Sequence, residues 1–272
     1  MLFPLEIGSE MNKKKQVSLH RATFVLIIGF LVSARFCLAL SDEARSQGFV
    51  YLHEIDPTIL VSLRYSTDEN FVAQPIKGYE KSRAIMTKQA AQALKKVQDE
   101  LRKDGFSLVV YDAYRPQQAV NNFMAWSKDI ADQTKKARYY PRVNKSKVFE
   151  LGYVAQRSGH SRGSTVDVTL IKLGDSLHPI IEKKRILADG FTIILLDDGT
   201  VDMGSSFDLF DVASHFESKI VSEPFKSRRI YLKKVMGRNG FKNYAEEWWH
   251  FTLKNEPYPA DQDSSYFNFA IE

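Results

Sequence analysis

Asp167 stands between Val166 and Val168 in the run Thr165–Leu170, an otherwise apolar, β-branched stretch that reads as a buried strand. A lone carboxylate in such a strand costs several kcal/mol unless a cation or hydrogen-bond donors compensate it. Any fold this chain adopts must therefore carry compensating groups to that point. The nearest candidate is His160, seven positions earlier, in the loop Ser158-Gly159-His160-Ser161-Arg162-Gly163 that leads into the strand. Loops beside a rigid strand hold metal ligands without the restrictions of a helix backbone. The bland alternative is a capped or ion-paired aspartate beside an unrelated loop histidine.

Around this strand the chain reads as one domain. No repeat, low-complexity stretch or Pro/Gly/Ser-rich linker divides residues 41–272, and 272 residues at 44% hydrophobic content suffice for a sizeable core. Residues 1–40 read as a leader. Starting at Met11, Lys13–Lys15 give a positive start, Ala22–Val32 a short apolar core, and Ala39 and Ser41 a small-residue exit. That is the layout of a secretory signal peptide, with Met1–Glu10 as an upstream extension. The apolar run is shorter than the roughly 20 residues a membrane span needs, so no stable anchor is expected after cleavage. The leader holds five Lys/Arg against two acids, so only +2 of the net charge of +5 belongs to residues 41–272. That near balance argues against a nucleic-acid partner. Cys37, the single cysteine, lies in the leader as well. A mature chain without thiols fits an exported, periplasmic or secreted bacterial protein, and any metal site in it must use His and carboxylates.

The patterning predicts the elements. Phe49–Leu52 and Ile59–Tyr65 read as two extended segments around an Asp56-Pro57 turn. Ala90, Leu94, Val97 and Leu101 form one stripe of a helix over Thr87–Lys103, with Gly105 as its cap. Ser107–Tyr111 reads as a strand, and Pro116 opens a helix through Trp126. Phe191–Leu196 reads as a strand, Lys226–Met236 as a helix stopped by Gly237, and Trp248–Leu253 as a final strand. Long helices early and strands later predict an α+β fold: a single domain with a mainly antiparallel sheet flanked by helices.

Two further segments carry candidate chemistry. His250 lies in Glu246-Glu247-Trp248-Trp249-His250-Phe251, three positions after Glu247. In a straight strand those two side chains point to opposite faces, so a shared site requires a bend there. A zinc hydrolase needs three protein ligands, an open fourth position and a carboxylate near it as general base. His160, Asp167 and His250 supply the ligands and Glu247 the base, its pKa raised by apolar surroundings. The competing reading packs His250 on the tryptophans beside an exposed acid. Arg115, in Tyr111-Asp112-Ala113-Tyr114-Arg115-Pro116, projects from a strand–helix junction. There it could stabilise an oxyanion or hold a substrate carboxylate, or simply pair with Asp112.

Together SGHSRGSTVDVTL (158–170), EWWHF (247–251), YDAYRP (111–116) and MGSSFDLFD (203–211) resemble the D-alanyl-D-alanine dipeptidases of the vancomycin-resistance type. These are zinc peptidases of the D,D-peptidase group that shares its fold with the hedgehog signalling domain. The likeness runs from about Phe49 to Phe269 and includes NFVAQPIKGY (70–79), YYP (139–141) and EPYP (256–259). It implies one Zn2+ held by His160, Asp167 and His250, with Glu247 as catalytic base and Arg115 stabilising the transition state. It implies that Ser158 and Asp208 recognise the free amino end of a small dipeptide, and an acidic Asp208 suits an ammonium group. Two departures stand out. Gly159 replaces the Ser often found before the zinc histidine, and Ile171–Asp202 is longer than in compact relatives and predicts an extra hairpin. His178 in that insertion reads as surface, and His215 as a partner of the site rather than a ligand.

The resemblance points to zinc-dependent hydrolysis of D-alanyl-D-alanine in cell-wall peptide metabolism. A D,D- or L,D-carboxypeptidase acting on longer peptidoglycan peptides is the enzymatic alternative. A non-catalytic zinc-stabilised binding domain is the other, though a structural zinc would need neither Glu247 nor Arg115.

Overall fold

The computed structural model describes residues 40–272, so the predicted leader lies outside the described residues. The chain runs α1 (Asp42–Ser46), β1 (Phe49–Tyr51), α2 (Leu52–Ile55), β2 (Leu60–Val61), β3 (Ile85–Thr87), α3 (Lys88–Lys103) and β4 (Phe106–Asp112). It continues through α4 (Gln117–Lys128), α5 (Lys136–Tyr139), β5 (Thr165–Lys172), β6 (Ile181–Ile186), β7 (Thr192–Asp197), α6 (Phe225–Arg238), β8 (Phe241–Tyr244) and β9 (Glu247–Leu253). A five-stranded sheet in the order β2-β4-β5-β9-β8 is antiparallel except at the short β2–β4 pair. Two two-stranded pairs, β1–β3 and β6–β7, complete the strands. This is the expected α+β architecture.

The strand carrying Asp167 takes the middle of the sheet. Thr165–Ile171 of β5 are all buried, as a strand covered on both faces must be. Helix α3 lays Ala90, Leu94, Val97 and Leu101 against the core, and the Thr87 hydroxyl caps its start by accepting from Ala90 N–H. The buried Gln98 fixes α3 to β4: its Oε1 accepts from Leu108 N–H at 2.8 Å and its Nε2 donates to Ser107 Oγ at 2.9 Å. Among the described residues no helix is long and apolar enough to cross a membrane.

Two local expectations change. The two extended segments around Asp56-Pro57 are shorter than expected, Phe49–Tyr51 and Leu60–Val61, and Arg64–Ser66 form a 3-10 turn. β1 pairs with β3, residues 52–55 are helical, and β2 joins β4 in parallel. Short apolar runs of this kind do not distinguish a strand from a helical turn. Gly237 does not stop the last helix either. α6 runs on to Arg238, and Gly240, at φ +93°, makes the turn into β8.

The insertion expected over Ile171–Asp202 holds the β6–β7 hairpin. Strand β6 is largely solvent-exposed, with Ile186 75% accessible. At its turn end Leu187 and Ile193 pack with Leu209, Ala213 and Val221 in a small second core, which seats the hairpin against the segment carrying Asp208.

Candidate active site

His160 is placed by a single 3-10 turn, Gly159–Arg162, directly before β5. Ser158 caps that turn by accepting from His160 N–H at 3.2 Å. Gly163 closes it at φ +76°, where an added Cβ would fall 2.2 Å from the Phe49 ring. Gly159 is also close-packed, since a Cβ there would meet Thr165 Oγ1 at 2.6 Å. The imidazole is oriented from behind: Nδ1 lies 2.7 Å from the carbonyl oxygen of Ala113. Donation there puts the proton on Nδ1 and turns the lone pair of Nε2 toward Asp167.

The bend required between Glu247 and His250 is present. Adjacent residues Asn243 and Tyr244 of β8 pair with Phe251 and Glu247 of β9, so residues 248–250 bulge relative to β8 while His250 stays in register with Asp167 of β5. Glu247 Oε2 thereby comes within 3.3 Å of His250 Nδ1. The two residues share a face that straight-strand geometry would deny them.

Three side chains converge. His160 Nε2 lies 3.3 Å from Asp167 Oδ2, His250 Nδ1 lies 3.2 Å from Asp167 Oδ1, and the two imidazoles approach at 3.4 Å. Ligand atoms held about 2.0–2.1 Å from a tetrahedral metal are separated by about 3.3–3.4 Å, so the spacing fits zinc. The electrostatics fit as well. Burial alone would raise Asp167 and lower His250, yet His160 and His250 hold Asp167 well below the usual carboxylate range. Asp167 and Glu247 in turn lift His250 to about 9. A proton on His250 thus offsets the paired carboxylates, and Asp167 Oδ1 is buried without a well-formed hydrogen bond. This set of donors favours a cation.

Arg115 pairs with Asp112, as one of its two expectations had it. Its Nε and Nη2 each lie 3.0 Å from Asp112 Oδ2, and Nη2 is 3.7 Å from Asp167 Oδ2. Asp112 and Asp167 are cross-strand partners beside a bulge in β4, so Arg115 screens two buried carboxylates from each other. It also lines the same cavity as Asp167, Glu247, His250, Ser158 and Asp208, a space of about 190 Å³. Burial raises the Glu247 carboxyl above its ordinary range, with His250 opposing.

Asp208 faces this cavity from the segment between β7 and α6. It is buried, has φ +60°, and accepts from Tyr65 Oη at 2.8 Å. Burial, reinforced by Asp167, raises its pKa well above normal, and no cation pairs with it among the described residues. An arriving ammonium would supply what it lacks. Phe71 and Phe210, 4.9 Å apart, and Tyr153 wall the cavity beside it. His178 is exposed, and His215 contacts Tyr153 Oη at 3.2 Å rather than joining the His–Asp–His cluster.

Sequence reasoning missed Tyr65 and treated Asp112 only as an alternative partner. The Asp-x-x-Arg spacing of YDAYRP was the available signal for Asp112. Tyr65 carried none, because its partner Asp208 is 143 residues away.

Comparison with known proteins places the chain in a family. The family described as D-ala-D-ala dipeptidase matches residues 45–180 and 188–272, and the unmatched gap falls on the exposed strand β6. The chain is 37% identical over 225 residues to the D-alanyl-D-alanine dipeptidase of Enterococcus faecalis (strain ATCC 700802 / V583), covering 82% of this chain and 98% of that protein. It is 37% identical over 223 residues to that of Streptomyces coelicolor (82% and 98% covered) and 35% identical over 226 residues to that of Enterococcus faecium (83% and 98%). With sheet, ligand cluster and family match in agreement, this chain belongs to the D-alanyl-D-alanine dipeptidase family.

Proposed function

We propose that the protein is an exported zinc dipeptidase that cleaves D-alanyl-D-alanine to D-alanine, recovering it from cell-wall peptides in the periplasm. The observation that carries this reading is that one small cavity is lined both by Asp167 and His250 of the His–Asp–His cluster and, apart from them, by a buried carboxylate without a cation. Export is supported by the leader pattern of residues 11–41.

Zinc held by His160, Asp167 and His250 would supply Lewis acidity and lower the pKa of water to about 7. Glu247 takes the proton of the attacking water and returns it to the departing amine, a task suited to a carboxyl whose burial raises its proton affinity. Arg115, held rigid by Asp112, faces the developing negative oxygen with a fixed guanidinium. Asp208 holds the substrate ammonium, Ser158 lines the same wall, and Phe71, Phe210 and Tyr153 keep water from that end.

The test is hydrolysis of D-alanyl-D-alanine beside a D-Ala-D-Ala-terminated pentapeptide, with and without chelator. The dipeptide should be preferred and activity should return when zinc is restored. Preference for the pentapeptide would replace the dipeptidase with a carboxypeptidase. Zinc content without turnover of either substrate would leave a binding domain.

A further inference from the structure

Asp208 occupies a left-handed backbone conformation, φ +60°, that non-glycine residues keep only where their surroundings over-determine it. What surrounds it is a hydrogen-bond network centred on Arg229 of α6. This guanidinium is 1% accessible and donates from Nε to Met203 O at 2.7 Å, from Nη1 to His215 O at 3.0 Å, and from Nη2 to Ala213 O at 2.9 Å and Ser205 Oγ at 3.1 Å. Met203 and Ser205 enter the segment that carries Asp208, and Ala213 and His215 leave it. One side chain therefore closes the neck of the loop.

The network continues to the residue after Asp208. Ser205 Oγ accepts from Arg229 and, at 3.0 Å, from Trp248 Nε1, so its own proton is free for Ser214 Oγ at 3.3 Å. Ser214 Oγ donates in turn to the carbonyl oxygen of Leu209 at 2.6 Å. Trp248 follows Glu247 in β9, so the loop is tied to the strand bearing the proposed base and a proposed ligand. Among the described residues Arg229 has no carboxylate partner. A buried cation without a counter-ion is a costly way to fill space, whereas a planar fork bridging four acceptors is something only guanidinium offers.

We propose that Arg229, acting through Ser205 and Ser214, is a positioning residue that sets where the Asp208 carboxylate meets the substrate ammonium. This rests on the reading of Asp208 given above. It assigns the network a role in substrate binding rather than only in stability.

The experiment measures kcat and KM for D-alanyl-D-alanine with the zinc-loaded full chain carrying Ser214→Ala or Arg229→Met. Each variant is made alone and combined with Asp208→Asn, and metal content is checked throughout. Ser214→Ala removes one buried hydrogen bond and should raise KM about three- to tenfold, with kcat within about twofold. Arg229→Met should raise it further, and neither should raise KM again in the Asp208→Asn background. If Arg229→Met does not fold, Ser214→Ala decides alone. An unchanged KM for Ser214→Ala, an effect confined to kcat, or the same added effect in the Asp208→Asn background overturns the inference. An unchanged KM for Asp208→Asn by itself overturns the reading of Asp208 and this inference with it.

Discussion

Replacing Glu247 with Gln isolates proton transfer from everything else the site does. The side chain keeps its volume in a position only 6% accessible, and His250 Nδ1 keeps its contact with Asp167 at 3.2 Å, so the three-ligand cluster is untouched. A positioned acid or base contributes about 10²–10⁴-fold. Glu247 serves both the attacking water and the leaving amine, but effects of one residue on linked steps do not simply multiply. The expected fall in kcat is therefore about 10³–10⁴-fold, or about 4–5.5 kcal/mol at 1.36 kcal/mol per decade. Burial raises the Glu247 pKa, which makes its ionised form destabilising to the metal-free fold near neutral pH. The Gln variant should consequently melt no lower than the wild type when both are metal-free. Release of D-alanine measures turnover, and mass spectrometry of the metal measures loading. Activity within tenfold of wild type at full loading would refute the base assignment. Loss of the metal would show instead that Glu247 is a ligand.

Arg115→Lys keeps the charge but loses the planar fork held on Asp112, and should lower kcat about 10²-fold with zinc retained; a fall under threefold contradicts its role at the oxyanion. Asp202 tests the ties of the hairpin. Burial alone would raise its pKa, but Arg185 and the Gly204 N–H hold it below the ordinary 3.8. Its contribution is thus complete above that value and lost as pH falls through the lowered one. Asp202→Asn should lower the Tm of metal-free protein by about 2–4 °C at pH 7, and the difference should close in acid; a constant difference across that range would contradict the ion pair.

The parts of the site legible in the sequence were those whose chemistry conflicts with their local pattern. Asp167 in an apolar strand demanded compensation, and His160 was the nearest residue able to provide it. His250 and Glu247 were legible only with a condition attached, because their spacing contradicts a straight strand, and the bulge in β9 satisfies it. Tyr65, Asp112 and Arg229 were not legible as site residues. Tyr65 and Arg229 act through partners distant in sequence, and nothing in their own neighbourhoods marks a buried carboxylate or loop neck opposite, whereas for Asp112 the spacing to Arg115 was the one local signal. The early segment 49–65 was legible only in part, because a short apolar run does not say where strand gives way to helical turn or which strand it pairs with.

The bulge of β9 also has a consequence for inheritance. Because the proposed base and a proposed ligand hang from the two ends of Glu247–His250, their separation is fixed by how many residues the backbone loops out, and no rotamer adjustment can restore it. Gaining or losing a single residue between them would carry the imidazole away from β5 or the carboxyl away from the cavity, so this stretch has to be passed on at constant length. Strand β6 is under no such constraint: it is exposed and the family match is interrupted there, so it is along that strand, rather than at the bulge, that length is free to drift.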